Sequence, residues 1–197
     1  MAVIRSLRPF GLLSPLRPHR SPRPFRRQSE RPEGTPHRNR EVEWRDLVVA
    51  VAFCELVGVV PGYLTADGVQ TWYQTLEKPD RNPPDWVFGP VWGILFAAMG
   101  VSLYLIRRER QDATGRRAAT GLFLLQLALN ATWTLVFFGR RSILGGLVVI
   151  SLLGPAIVMT AVAAALVDRR AGLLLLPYLA WVAFATSLNY ELWRLNR

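Results

Sequence analysis

Five apolar runs, each long enough to cross a bilayer, follow one another after Asp46. They are Leu47 to Ala66, Val87 to Ile106, Ala118 to Gly139, Ile143 to Val167 and Ala171 to Tyr190, with the fifth span extending to about residue 192. An α-helix rises 1.5 Å per residue, so about 20 apolar residues cross the hydrocarbon core. The first run contains one charge, Glu55, and the other four contain none. A single run of this kind is compatible with a buried core helix. Five in succession within about 150 residues leave no polar face to meet water. The fold class this dictates is all-α, a polytopic membrane protein built as a five-transmembrane-helix bundle.

The formal charge of +10 taken alone would suggest a soluble nucleic-acid binder. Its distribution removes that reading. Residues 1–46 carry 11 Arg against 5 acids, and half of the chain's 14 Pro lie in the same stretch. Such a segment buries too little apolar surface to offset its ordering entropy, so residues 1–45 read as a disordered Arg/Pro-rich extension and residues 46–197 as the membrane domain. The first 29 residues lack any acid, as in an organellar transit peptide. An upstream extension of a true start near Trp44 explains the tail as well and is slightly favoured, and both readings stay open. The first places the protein in an organellar membrane, the second in a prokaryotic cell membrane, which is favoured. Lys and Arg number 18 on the side of the N-terminus and 6 on the other, favouring an inside N-terminus.

Composition excludes several chemistries. Cys54 is the single cysteine, and His19 and His37, the two histidines, both lie in the tail, so no disulfide framework, metal site or His-ligated haem fits the spans. No P-loop, GxGxxG or HExxH string occurs, and Ser102, Ser151 and Ser187 have no His base in the membrane. No nucleic-acid partner and no required cofactor is expected.

What remains is aromatic and amide chemistry. Of seven Trp, Trp44, Trp72, Trp86 and Trp193 fall near span boundaries, where indoles anchor to the interface. Trp92, Trp133 and Trp181 fall inside spans with companions at helical spacing: Phe96 and Met99 for the first, Gln126 and Asn130 for the second, Tyr178, Ala185 and Leu188 for the third. Those indoles and amides either pack the bundle or line a flat aromatic pocket between helices. Gln126, Asn130 and Asn189 need partners in hydrocarbon. Glu55 must face the bundle interior or be protonated, because a charge at a helix centre costs about 2.5–3.5 kcal/mol on insertion scales. Gly58 and Gly62 follow it at one and two turns.

Two long strings are specific. Trp72-Tyr73-Gln74-Thr75-Leu76-Glu77-Lys78-Pro79 and Pro83-Pro84-Asp85-Trp86-Val87-Phe88-Gly89-Pro90-Val91-Trp92 resemble the first loop and second helix of the TspO/MBR family, the tryptophan-rich sensory proteins and translocator proteins. Leu129-Asn130-Ala131-Thr132-Trp133 with Phe137-Phe138-Gly139, and Pro177-Tyr178-Leu179-Ala180-Trp181, resemble its third and fifth helices. The chain departs from the family at Arg81 and Asn82, where many members carry an aromatic or small residue, and in its tail.

The resemblance implies a five-helix fold, frequently a homodimer, with a pocket capped by the first loop. That pocket would take a porphyrin such as protoporphyrin IX, or another lipophilic small molecule, from the surrounding membrane lipid. Carried over by position, Tyr73, Trp92, Phe96, Asn130, Trp133, Trp181 and Ala185 would line it, and Leu188, Tyr190 and Arg194 fit a sterol-recognition pattern. Lys78 and Arg81 would be the loop cations for propionates. Three functions follow: a sensor or regulator of tetrapyrrole or stress metabolism, which is favoured; a transporter of porphyrins or other lipophilic ligands; and a light-dependent porphyrin-degrading enzyme, which would rest on Trp92 and Trp181. For the enzyme the sequence offers no acid–base machinery.

Overall fold

The computed structural model describes residues 43–109 and 113–197. The expectation of a disordered tail therefore lies outside the described residues up to Val42, while Trp44 and Arg45 already belong to the first helix. That helix, α1 (Trp44–Leu64), runs unbroken through Pro61 and is closed by Thr65, whose hydroxyl donates to the Pro61 carbonyl at 2.8 Å. Near its start the Glu43 backbone N–H donates to the Tyr104 hydroxyl at 3.1 Å, tying this end to the second span.

The first loop contains a short helix α2 (Ala66–Gln70) and a 3-10 turn, Trp72–Thr75. Helix α3 (Asp85–Arg108) follows, with Asp85 in its first turn and Arg107 and Arg108 in its last, both of a sign that favours the helix dipole. Helix α4 (Ala113–Thr134) passes into a π-helical turn, Leu135–Gly139, where Arg140 N–H reaches back five residues to Leu135 O at 2.9 Å. Arg141 then takes a left-handed backbone, φ 52°, and Ser142 caps α5 (Ile143–Val167) by accepting from Gly145 N–H at 3.0 Å.

The fifth span is broken. A short α6 (Arg169–Leu173), capped by Asp168, precedes α7 (Leu176–Leu195). The cause is Pro177 at the second position of α7: lacking an N–H, and with a ring that crowds the carbonyl four residues back, it is tolerated at a helix start and not inside one. Leu175 N–H turns to Gly172 O instead of Ala171 O. The freed Ala171 carbonyl receives the buried Ser102 hydroxyl from α3 at 2.9 Å, which gives Ser102 a structural role.

Helix α1 packs along α3 and α4, α4 along α5, and α5 along α7. Close approach of α1 and α3 depends on Gly100, since a Cβ there would lie 2.4 Å from Val51 Cα. On the ring's remaining side α3 meets α7 through large aromatics, with Phe88 5.9 Å from Trp181 and Trp92 6.2 Å from Tyr178, both edge-on. Among the described residues five helical segments are long and apolar enough to cross a membrane, and their outward faces expose Val48, Leu56, Ile94, Leu152, Val162 and Leu166. An apolar belt of that extent is compatible with lipid rather than water. The chain is an integral multi-pass membrane protein.

Candidate functional site

Helices α1, α3, α4 and α7 bring their loop-proximal halves around one cavity of about 490 Å³. This is the size of a pocket for a drug-sized or larger organic ligand. Tyr73, Trp92, Phe96, Asn130, Trp133, Trp181 and Ala185 all line it, so residues from the first loop, α3, α4 and α7 converge on one volume. Of the proposed sterol pattern, Leu188 lines the cavity, whereas Tyr190 and Arg194 are exposed on the outside of α7. The 200° between positions 188 and 190 on a helix separates them.

The walls are aromatic. Trp92 stacks on Phe96 at 5.5 Å, and Trp133 stacks on Phe137 at 5.3 Å. Tyr73 meets Phe138 edge-on at 5.6 Å. The π-helical turn makes this cluster: its extra residue turns both Phe137 and Phe138 toward the loop, and Gly146 on α5 admits the Phe137 ring, which a Cβ would meet at 2.6 Å. Nothing in the spacing of α4 signals a π-turn, and this contribution is visible only in the structure. Trp72, read as an interfacial anchor, is half-buried against Phe137 at 5.5 Å, unlike Trp44 and Trp86, which are exposed.

The amides find defined partners. Asn130 Nδ2 donates to the buried Tyr178 hydroxyl at 3.1 Å. Asn189 accepts from Trp133 Nε1–H at 3.1 Å and donates to Ile143 O at 3.1 Å, fixing the orientation of that indole. Trp181 differs: among the described residues its Nε1–H is buried without a partner, as is Gln126 Oε1. A buried donor left without an acceptor costs free energy, so this indole is held in place by packing rather than by a hydrogen bond.

The loop closes the top. Val69, Tyr73 and Asn82 line the cavity from it. The Tyr73 hydroxyl donates to Asn82 Oδ1 at 3.1 Å, and burial pushes its phenol above the ordinary value, so it remains a neutral donor. Helix α2 lies against the π-turn, since a Cβ on Gly68 would lie 2.2 Å from Phe138 O. Arg81 makes a two-pronged ion pair with Glu191 of α7, Nε to Oε2 at 3.0 Å, and Asn196 bonds both backbone groups of Glu77, at 3.0 and 2.9 Å. Thus Arg81 is engaged in holding the loop, and Lys78 lies over the Tyr73 ring at 4.6 Å with its ammonium bonded to Gln74. Arg81 and Asn82, the two positions where the chain departs from the pattern described above, are both used to fasten the loop.

Comparison with known proteins agrees with this architecture. The model of the TspO/MBR family matches residues 50–194. A tryptophan-rich protein TspO of Chlorobaculum tepidum is 43% identical over 150 residues, covering 76% of this chain and 95% of the relative. The translocator protein of Homo sapiens is 47% identical over 126 residues, covering 64% of this chain and 75% of the relative. A tryptophan-rich sensory protein of Cereibacter sphaeroides is 35% identical over 155 residues, covering 79% and 94%.

Proposed function

The chain belongs to the TspO/MBR family, and from that premise we propose that it binds a flat tetrapyrrole of the protoporphyrin IX type in the loop-capped cavity and acts as a sensor or regulator of tetrapyrrole or stress metabolism. One observation carries the reading: a mostly apolar cavity of about 490 Å³ is walled by stacked indole and phenyl rings, with the Trp92, Trp133 and Trp181 side chains all on its lining. A macrocycle offers broad π-faces to such walls and polar atoms at its edge. The names of relatives, sensory protein in one case and translocator protein in another, accord with ligand recognition at a membrane.

Titration of the detergent-solubilised protein with protoporphyrin IX, followed by tryptophan fluorescence quenching, tests the reading. Replacing Trp92 and Trp181 together by Phe keeps an aromatic ring at each position and removes two N–H donors. An affinity about ten-fold lower is expected, from the loss of one Trp92 hydrogen bond of about 0.5–1.5 kcal/mol and the smaller ring faces at both positions. Unchanged affinity in the double variant would remove the porphyrin from this site. Illumination of the same complex reports on chemistry: a new product in wild type and none in either single Trp variant would convert the binding protein into an enzyme.

A further inference from the structure

One charged group within the spans has no part in the reading so far. Glu55 lies near the middle of α1, where a carboxylate costs about 2.5–3.5 kcal/mol unless something compensates it. A purely structural acid would show a bonded partner. Among the described residues Glu55 has no hydrogen bond or ion pair. It is half-buried and lines the cavity.

Its position on α1 is set by two close contacts with α3. One turn before it, Val51 meets Gly100, and one turn after it, Gly58 lies under the Phe96 ring, whose Cε2 a Cβ would meet at 2.1 Å. Glu55 therefore stands on the edge of α1 that runs along α3. Further toward the loop that seam is bare: Gly62 on α1 and Gly89 and Gly93 on α3 all line the cavity, and a Cβ on any of them would meet nothing within 4 Å. Val59, which is 61% exposed, and the exposed Gly62 and Gly89 line the same cavity, so it reaches the lipid-facing surface between α1 and α3.

We propose that Glu55 is a specificity-determining anchor in the α1–α3 seam, whose carboxylate takes a nitrogen donor, N–H or ammonium, carried by a flat lipophilic ligand lying against Trp92 and Phe96. The proposal rests on the cavity being a ligand site. The carboxylate is an acceptor in an otherwise aromatic and aliphatic surround, and a charge-assisted hydrogen bond there is stronger than a neutral one. It also explains why an acid is kept in a span whose other residues are uncharged. Asp85 also lines the cavity, at the loop, where it accepts from Gln74 Nε2 at 2.9 Å.

The test uses two aromatic probes of matched shape, 1-pyrenemethylamine and 1-methylpyrene, titrated by quenching of tryptophan fluorescence in detergent with protein-free micelles as the blank. Wild type should prefer the amine by about ten-fold. Glu55→Gln should reduce that preference to about two-fold and Glu55→Leu should abolish it, both leaving 1-methylpyrene affinity within two-fold of wild type, which also shows that the variants fold. Equal binding of the two probes by wild type overturns the anchor alone. A preference that survives Glu55→Leu and disappears in Asp85→Asn overturns it by moving the anchor to the loop. Binding of neither probe overturns the cavity reading and the anchor with it.

Discussion

The two ends of the bundle are built from the same helices and packed in opposite ways. At the end remote from the first loop, Leu103, Ile106, Phe123, Leu127, Ile157 and Leu175 are buried to 3% exposure or less and fill the space between helices. At the loop end the same α3 and α4, with the π-helical turn that ends α4, carry Phe88, Trp92, Trp133 and Phe137 around open volume. Close packing at one end holds the helices at fixed spacing, which allows the other end to stay hollow. Van der Waals contact supplies that rigidity, because lipid offers helices no hydrophobic reward for associating.

Substitutions chosen in pairs break or sharpen this contrast. The largest effect is expected from Phe123→Ala in the filled end, where deletion of a fully buried ring leaves a void. About 3 kcal/mol of destabilisation is expected, the low end of the Phe→Ala range since lipid replaces water as the reference, read as a lower thermal midpoint in detergent. Next comes the pair Gly100→Ala and Gly93→Ala, on one face of α3 two turns apart. A methyl at position 100 meets Val51 backbone at 2.4 Å and should cost about 2 kcal/mol by forcing α1 and α3 apart. At position 93 it meets nothing within 4 Å and should be neutral or slightly stabilising, as Ala favours helix. Equal midpoints for those two variants would contradict a filled end and a hollow end. The smallest effect on stability is expected at the loop. Arg81→Ala removes an ion pair with both side chains partly exposed, so the midpoint should barely move. Ligand dissociation, measured by stopped-flow quenching, should nevertheless quicken several-fold, because the loop loses one of its attachments to α7.

The spans were legible because each depends on residues adjacent in sequence. The fourth, Ile143–Val167, falls within the same limits as its helix, and the second and third extend a few residues further into charged flanks. The fifth was read as continuous although Pro177 marks its break, since hydropathy reports burial in lipid and is silent about backbone hydrogen bonding. Trp92, Trp133 and Trp181 stood out as intramembrane indoles, but spacing alone left packing and pocket equally open. The resemblance to a family separated them, and the structure sets all three on one cavity. Phe137 and Phe138 stood only within a resembling string, and Gly58 and Gly62 only at helical spacing from Glu55; nothing in the sequence marked any of them as cavity wall.

By itself, then, the sequence determined that five helices cross a membrane, because apolar length and the need to satisfy every backbone group within hydrocarbon leave a chain like this no other solution. Where the bundle is hollow was decided only by tertiary structure. A glycine becomes part of a cavity wall, or of a tight helix contact, according to what the facing helix places opposite it. Gly93 and Gly100 share a helix and a face, and only the position of α1 makes one of them open and the other closed.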